Sequence, residues 1–227
     1  MNSAAFKAAG LEAWRYELWD VAETELPGLI ARLRGAGHAG ANVTIPHKLA
    51  VIDLLDRLDP VGARVGAVNL VRKEGDRLVG SNVDVEGVAA ALAEVGFERG
   101  SAVVLGNGGA ARAAAVALAG SEVRLVARSL GNWEDRGRLA RSADLLVNAT
   151  PLGRHGEVPI QPDELPRTAV VDLVYAQGGT PLVNSARSAG LPAADGWSVL
   201  LAQGAASFTA WTRLPAPLEA MRASLPT

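Results

Sequence analysis

The residue types in this 227-residue chain that could do chemistry are a lysine in an unfavourable setting and a glycine-rich turn flanked by a strand and a helix. Lys48 lies just past Asn42-Val43-Thr44-Ile45-Pro46. The apolar spacing of Leu49, Ile52, Leu55 and Leu58 predicts a helix opening at Pro46. A cation in the first turn of a helix opposes the macrodipole and the unpaired amides there, so the position is not chosen to stabilise the helix. The chain otherwise prefers arginine, its only lysines being Lys7, Lys48 and Lys73 among 22 basic residues. An ammonium can exchange its proton where a guanidinium cannot, which suits Lys48 to acid–base work. Taken alone it also suits a solvated surface.

The glycine turn is Gly106-Asn107-Gly108-Gly109-Ala110-Ala111, between the apolar run Val103-Val104-Leu105 and an alanine-rich segment to Leu118. Strand, tight turn and helix follow from that pattern. Gly106 permits the turn, Gly108 lets a pyrophosphate approach the backbone, and Ala111 lets helix and strand pack, while the first helical amides face the anion. A tight connection without a ligand has the same glycines. The next strand, Val123 to Ala127, ends in Arg128-Ser129, where an NAD site would carry an acid for the ribose. A guanidinium fork and a hydroxyl suit a ribose 2′-phosphate instead.

These residues need elements to hold them. Met1 to Gly10 reads as a helix capped at Gly10, Trp14 to Trp19 alternates as a strand, Leu26 to Gly35 reads as a helix and Ala41 to Thr44 as a strand. Val61 to Val71 runs into a strand containing Asn69, and Glu74-Gly75-Asp76 makes a hairpin turn. Asp84 opens an amphipathic run to Val95, where spacing alone reads it as a helix cap. Asp144 to Asn148 and Thr168 to Tyr175 are further strands, and a helix from about Ser198 to Trp211 carries Gln203 among apolar residues. Only Arg128 to Ser142 separate two strands of the nucleotide half. That is too short for helix, strand and helix, so about five parallel strands are expected.

The chain is 49% hydrophobic with a net charge of −2, enough to bury two modest cores and without the basic block that nucleic acid or an anionic membrane would attract. A small metabolite is the expected partner. The chain contains no cysteine, and its histidines (His38, His47, His155) have no ligand spacing, so no metal site is expected. No signal peptide or membrane-spanning run is visible, which makes the cytoplasm the default location.

Seven segments, in order, resemble the signatures of the shikimate dehydrogenase family: NVTIPHK (42–48), GAVN (66–69), SNVDVEG (81–87), GNGGAARA (106–113), NATPLG (148–153), DLVYAQGGTPL (172–182) and DGWSVLLAQ (195–203). The resemblance implies an α/β substrate domain over residues 1–86 and a shortened Rossmann-type NADP domain over 87–196. Over 197–227 it implies C-terminal helices returning to the substrate domain. It also implies reversible, NADP-dependent reduction of 3-dehydroshikimate to shikimate in aromatic amino-acid biosynthesis, by a monomer or homodimer. Matched by motif, Lys48 and Asp84 are the catalytic pair, and Thr44, Asn69, Tyr175 and Gln203 the substrate positions. Gly106, Asn107, Gly108, Gly109, Ala110, Arg128, Ser129, Thr150, Leu173 and Gly196 are the cofactor positions.

Three departures stand out. Ala127-Arg128-Ser129 lacks the further basic residue usual in the family, the interval before Asp144 is short, and the family's opening strand and serine loop would precede Met1. That last departure implies poor turnover with NADP binding retained. A quinate or NAD-accepting sister enzyme and a non-catalytic binding protein remain the alternatives.

Overall fold

The computed structural model describes residues 1–226. The chain divides into two compact units, Met1–Val83 with Gln203–Leu225, and Asp84–Ala202. The chain passes from one unit to the other before Asp84 and again at Gln203, the second passage falling inside the unbroken helix Gly196–Thr212.

The first unit contains helices α1 (Asn2–Ala8) and α2 (Leu26–Leu33), strands β1 (Gly40–Asn42) and β2 (Arg57–Leu58), helix α3 (Pro60–Val65), and strands β3 (Leu70–Glu74) and β4 (Arg77–Ser81). Its sheet runs β1-β3-β4-β2, with β3 antiparallel to β1 and β4, and β2 parallel to β4. Gly75, at φ +61°, makes the β3–β4 turn as its sequence suggests. Leu26, Ile30 and Leu33 on one face of α2 pack with Val43, Val51, Val68, Val71 and Leu78 to form this unit's core.

Three sequence expectations fail here. Trp14–Trp19 alternates but is irregular, because a strand needs a ladder and this segment takes none among the described residues. Instead it lines, with residues 37–44, a cavity of about 790 Å³. The stretch after Pro46 is a chain of turns and one short 3₁₀ turn (Ile52–Leu54), and Leu58 belongs to β2. There the Lys48 carbonyl accepts the Val68 amide at 2.8 Å, so a long-range bond takes the acceptor a helix would have used. The Ile45–Pro46 peptide is cis. Finally, Val61–Val65 is helical: Asp59 accepts the Gly62 amide at 2.8 Å as an N-cap, Pro60 takes the first helical position, and Gly66 at φ +65° ends the helix. Asn69 consequently sits just before β3.

The second unit continues with α4 (Asp84–Glu94), β5 (Ser101–Leu105), α5 (Gly109–Ala117), β6 (Glu122–Val126), α6 (Arg136–Ser142), β7 (Leu145–Asn148), β8 (Ala169–Asp172), α7 (Pro181–Ser188) and β9 (Ala193–Ala194). The five strands are parallel in the order β6-β5-β7-β8-β9. Between β6 and β7 lie only two 3₁₀ turns and α6, so the shortened sheet is as expected. Ala102 and Val104 enter one core, Val103 and Leu105 the other, the two-faced burial that makes parallel strands continuously apolar. The chain ends with α8 (Gly196–Thr212) and α9 (Leu218–Ala223).

Candidate active site

In the first unit, three of the expected residues cluster on the connections around β1 and β3, and the backbone explains why. Asn69 is 4% exposed. Its carbonyl accepts the Val43 amide at 2.9 Å and the Asn42 side chain at 3.2 Å, and its own amide donates to Ser81 at 3.1 Å. Its side-chain Oδ1 accepts the Val83 amide at 2.7 Å. With the oxygen committed to the backbone, the NH₂ of the same side chain is the end that can donate to a ligand. Thr44 is exposed beside the buried Val43 and lines the cavity described above. Lys48 is half-buried, its backbone held by the bond to Val68. Gln203 is half-buried on α8.

In the second unit the glycine turn has the geometry its mechanics require. Gly106 adopts φ +115°, and a Cβ there would lie 3.0 Å from the Ala149 carbonyl oxygen, so only glycine fits. Gly108 precedes α5 with no side-chain cap on the helix, and a Cβ built there meets nothing within 4 Å. The first amides of α5 at Gly109 and Ala110 are therefore open to an anion. Ala111 is fully buried against the sheet. Arg128 and Ser129 follow β6 and are exposed, and Asn107 donates to the Ser129 hydroxyl at 3.4 Å. Uncapped amides, open space over Gly108 and an exposed arginine at the next strand end together fit a dinucleotide carrying a 2′-phosphate.

The loops after β7 and β8 are tied by a buried carboxylate to which sequence reasoning assigned no role. Asp172, wholly buried, accepts from Thr180 Oγ1 at 2.6 Å, Asn148 Nδ2 at 2.9 Å and the Val174 amide at 3.0 Å. Asn148 also donates to the Leu152 carbonyl and accepts from Thr150 Oγ1 at 2.7 Å, so Thr150 is held through Asp172. Burial, opposed by these donors and reinforced by Asp195, pushes the Asp172 carboxyl up to about 6. An aspartate closing the apolar strand Val170-Val171 is the signal that marks it in the sequence.

Leu173 continues from this strand end, its amide donating to Asn148 at 2.9 Å. Tyr175 is 39% exposed and packs on Trp197, with ring centroids 4.9 Å apart. A Cβ on Gly196 would lie 2.6–2.7 Å from backbone atoms of residues 173–175, so this glycine is required by close packing at the start of α8. Asp84, the first residue of α4, is 8% exposed.

A family model described as the shikimate dehydrogenase substrate binding domain matches residues 1–71. The chain is 40% identical to the shikimate dehydrogenase (NADP(+)) of Moorella thermoacetica, covering 97% of this chain and 85% of that one. It is 42% identical to the Rubrobacter xylanophilus protein of the same name, over 99% and 89% of the two chains. The chain belongs to the shikimate dehydrogenase family. Among solved structures, the Thermus thermophilus shikimate 5-dehydrogenase in complex with NADP(H) and shikimate superimposes with a TM-score of 0.87 at 38% identity, over 97% of this chain and 90% of that one. As a family member the chain is α/β, with the five-stranded parallel sheet that a dinucleotide-binding half requires. Among the described residues no group of His, Cys, Asp or Glu could hold a metal, and no helix is long and apolar enough to cross a membrane.

Proposed function

We propose that the protein catalyses the NADP-dependent, reversible reduction of 3-dehydroshikimate to shikimate, a step toward aromatic amino acids. The observation that carries this reading is near-complete coverage by relatives named for that reaction, in a chain that keeps both Lys48 and Asp84. Bound NADPH supplies a hydride to the ketone carbon. Lys48 then acts as the general acid that delivers a proton to the ketone oxygen, with Asp84 as the second member of the catalytic pair. In the oxidative direction Lys48 takes the same proton back. Thr44, Asn69, Tyr175 and Gln203 hold the substrate's hydroxyls and carboxylate. The glycine turn and Thr150 hold the phosphates and nicotinamide end, and Arg128 and Ser129 hold the 2′-phosphate.

The test follows NADPH absorbance with 3-dehydroshikimate, then shikimate and quinate with each oxidised cofactor. Turnover of the shikimate pair with NADP(H) is expected. Faster turnover of quinate with NAD would replace this reading with the sister activity, and no turnover of either would leave a binding protein.

A further inference from the structure

Beyond Ala127 the chain must turn out of β6 without another strand to receive it, and one side chain makes that turn. Asn132 Oδ1 accepts the Ala127 amide at 3.0 Å and its Nδ2 donates to the Leu125 carbonyl at 3.0 Å, closing the strand end like a missing neighbour. This places the half-buried indole of Trp133 beside Arg128. Two guanidinium groups lie over that ring, Arg136 at 4.9 Å and Arg128 at 5.5 Å from its centroid.

The two arginines are not equivalent. Arg136 is committed, donating from Nε to the Pro159 carbonyl at 2.8 Å and from Nη1 to the Trp133 carbonyl at 3.2 Å, which anchors the indole to the fold. Arg128 is exposed, and among the described residues its guanidinium has no hydrogen bond and no ion pair. The indole alone holds it. A long flexible side chain gives up considerable rotamer freedom when a ligand immobilises it, and a prior ring contact reduces that loss. Five N–H donors then remain for a planar or tetrahedral anion.

We propose that Trp133 is a specificity-determining positioning residue, holding the Arg128 guanidinium ready for the 2′-phosphate of the cofactor. The inference rests on the NADP reading above. It also explains how the site dispenses with a further basic residue at Leu130, Gly131 or Asn132: one arginine is pre-positioned where a mobile pair would otherwise be needed.

Calorimetric titration with adenosine 2′,5′-bisphosphate and with adenosine 5′-monophosphate, at one fixed salt concentration, separates the 2′-phosphate from the rest of the nucleotide. In Trp133→Leu, affinity for the bisphosphate is expected to fall about 3- to 10-fold, the scale of a partly desolvated cation–π contact, with the monophosphate unchanged. Trp133→Phe, which keeps a ring and guards against misfolding of the leucine variant, is expected to retain most of the affinity. In an Arg128→Ala background Trp133→Leu is expected to have no further effect. Equal losses for both nucleotides, or a bisphosphate-selective loss that persists without Arg128, would overturn the proposal while leaving the NADP reading intact. If wild-type protein shows no preference for the bisphosphate, the cofactor reading fails and this inference with it.

Discussion

Asn69 and Val83 are joined by a 2.7 Å hydrogen bond from the Val83 amide to the Asn69 side chain, so a proposed substrate residue also fixes the backbone immediately before Asp84. The same Asn69 ties β1 to β3 and β4 through its backbone. A substrate hydroxyl bound at its amide would therefore be read by a side chain that cannot move without releasing the Val83 amide.

Asn69→Ala is expected to lower stability by about 1–3 kcal/mol, because the buried Val83 amide loses its acceptor. It should also raise KM for shikimate. Thermal denaturation and steady-state kinetics check the two effects, and an unchanged Tm would show that water replaces the lost acceptor.

Lys48→Ala and Asp84→Ala are each expected to reduce turnover at least ~100-fold with NADPH binding retained, the usual scale of general acid–base catalysis. Lys48→Arg should be nearly as slow, since a guanidinium keeps the charge but does not release its proton. Near-wild-type turnover in any of the three would sink the proposed proton transfer.

The parts legible in the sequence are those fixed locally. The glycine turn announces itself because Gly106 needs a positive φ and Gly108 needs an open face. The five-stranded sheet follows from counting residues between Ala127 and Asp144. What stayed hidden depends on neighbours distant in sequence. Trp14–Trp19 alternates like a strand, yet alternation does not supply a ladder partner. The apolar stripe after Pro46 reads as a helix until the Val68 amide claims the Lys48 carbonyl. Asp172, Asn148 and Thr180 converge only because β7 and β8 are neighbours, and Trp133 meets Arg128 only through the Asn132 turn.

Asp172 should leave a pH signature on stability. Its carboxyl is raised by burial from 3.8 to about 6, so its stabilising contribution is fully present below about pH 4 and is lost as pH rises through about 6. At 1.36 kcal/mol per pKa unit, the rise from 3.8 to about 6 corresponds to about 3 kcal/mol in full, most of it falling between pH 4 and pH 7. Asp172→Asn removes this titration. Wild-type stability minus variant stability should therefore shrink as pH rises across that window. The variant's amide oxygen still accepts from Asn148 and Val174, so the bond it loses is the one from the Thr180 hydroxyl, which meets an NH₂ in place of an acceptor. A difference independent of pH would show that the carboxyl is ionised throughout.

The two glycines of the cofactor turn make opposite demands, and alanine at each separates fold from binding. Gly106→Ala puts a methyl 3.0 Å from the Ala149 carbonyl oxygen at φ +115°, a conformation L-residues rarely adopt, so it should cost at least about 1 kcal/mol of stability as well as NADPH affinity. Gly108→Ala has a permitted φ of −85° and no atom within 4 Å of the new methyl. Its Tm should match that of the wild type. The methyl nevertheless enters the space a pyrophosphate would occupy at the start of α5, so KM for NADPH should rise about tenfold or more. If Gly108→Ala binds NADPH as tightly as the wild type does, the phosphates do not lie over this turn, and the cofactor's placement on the second unit must be redrawn.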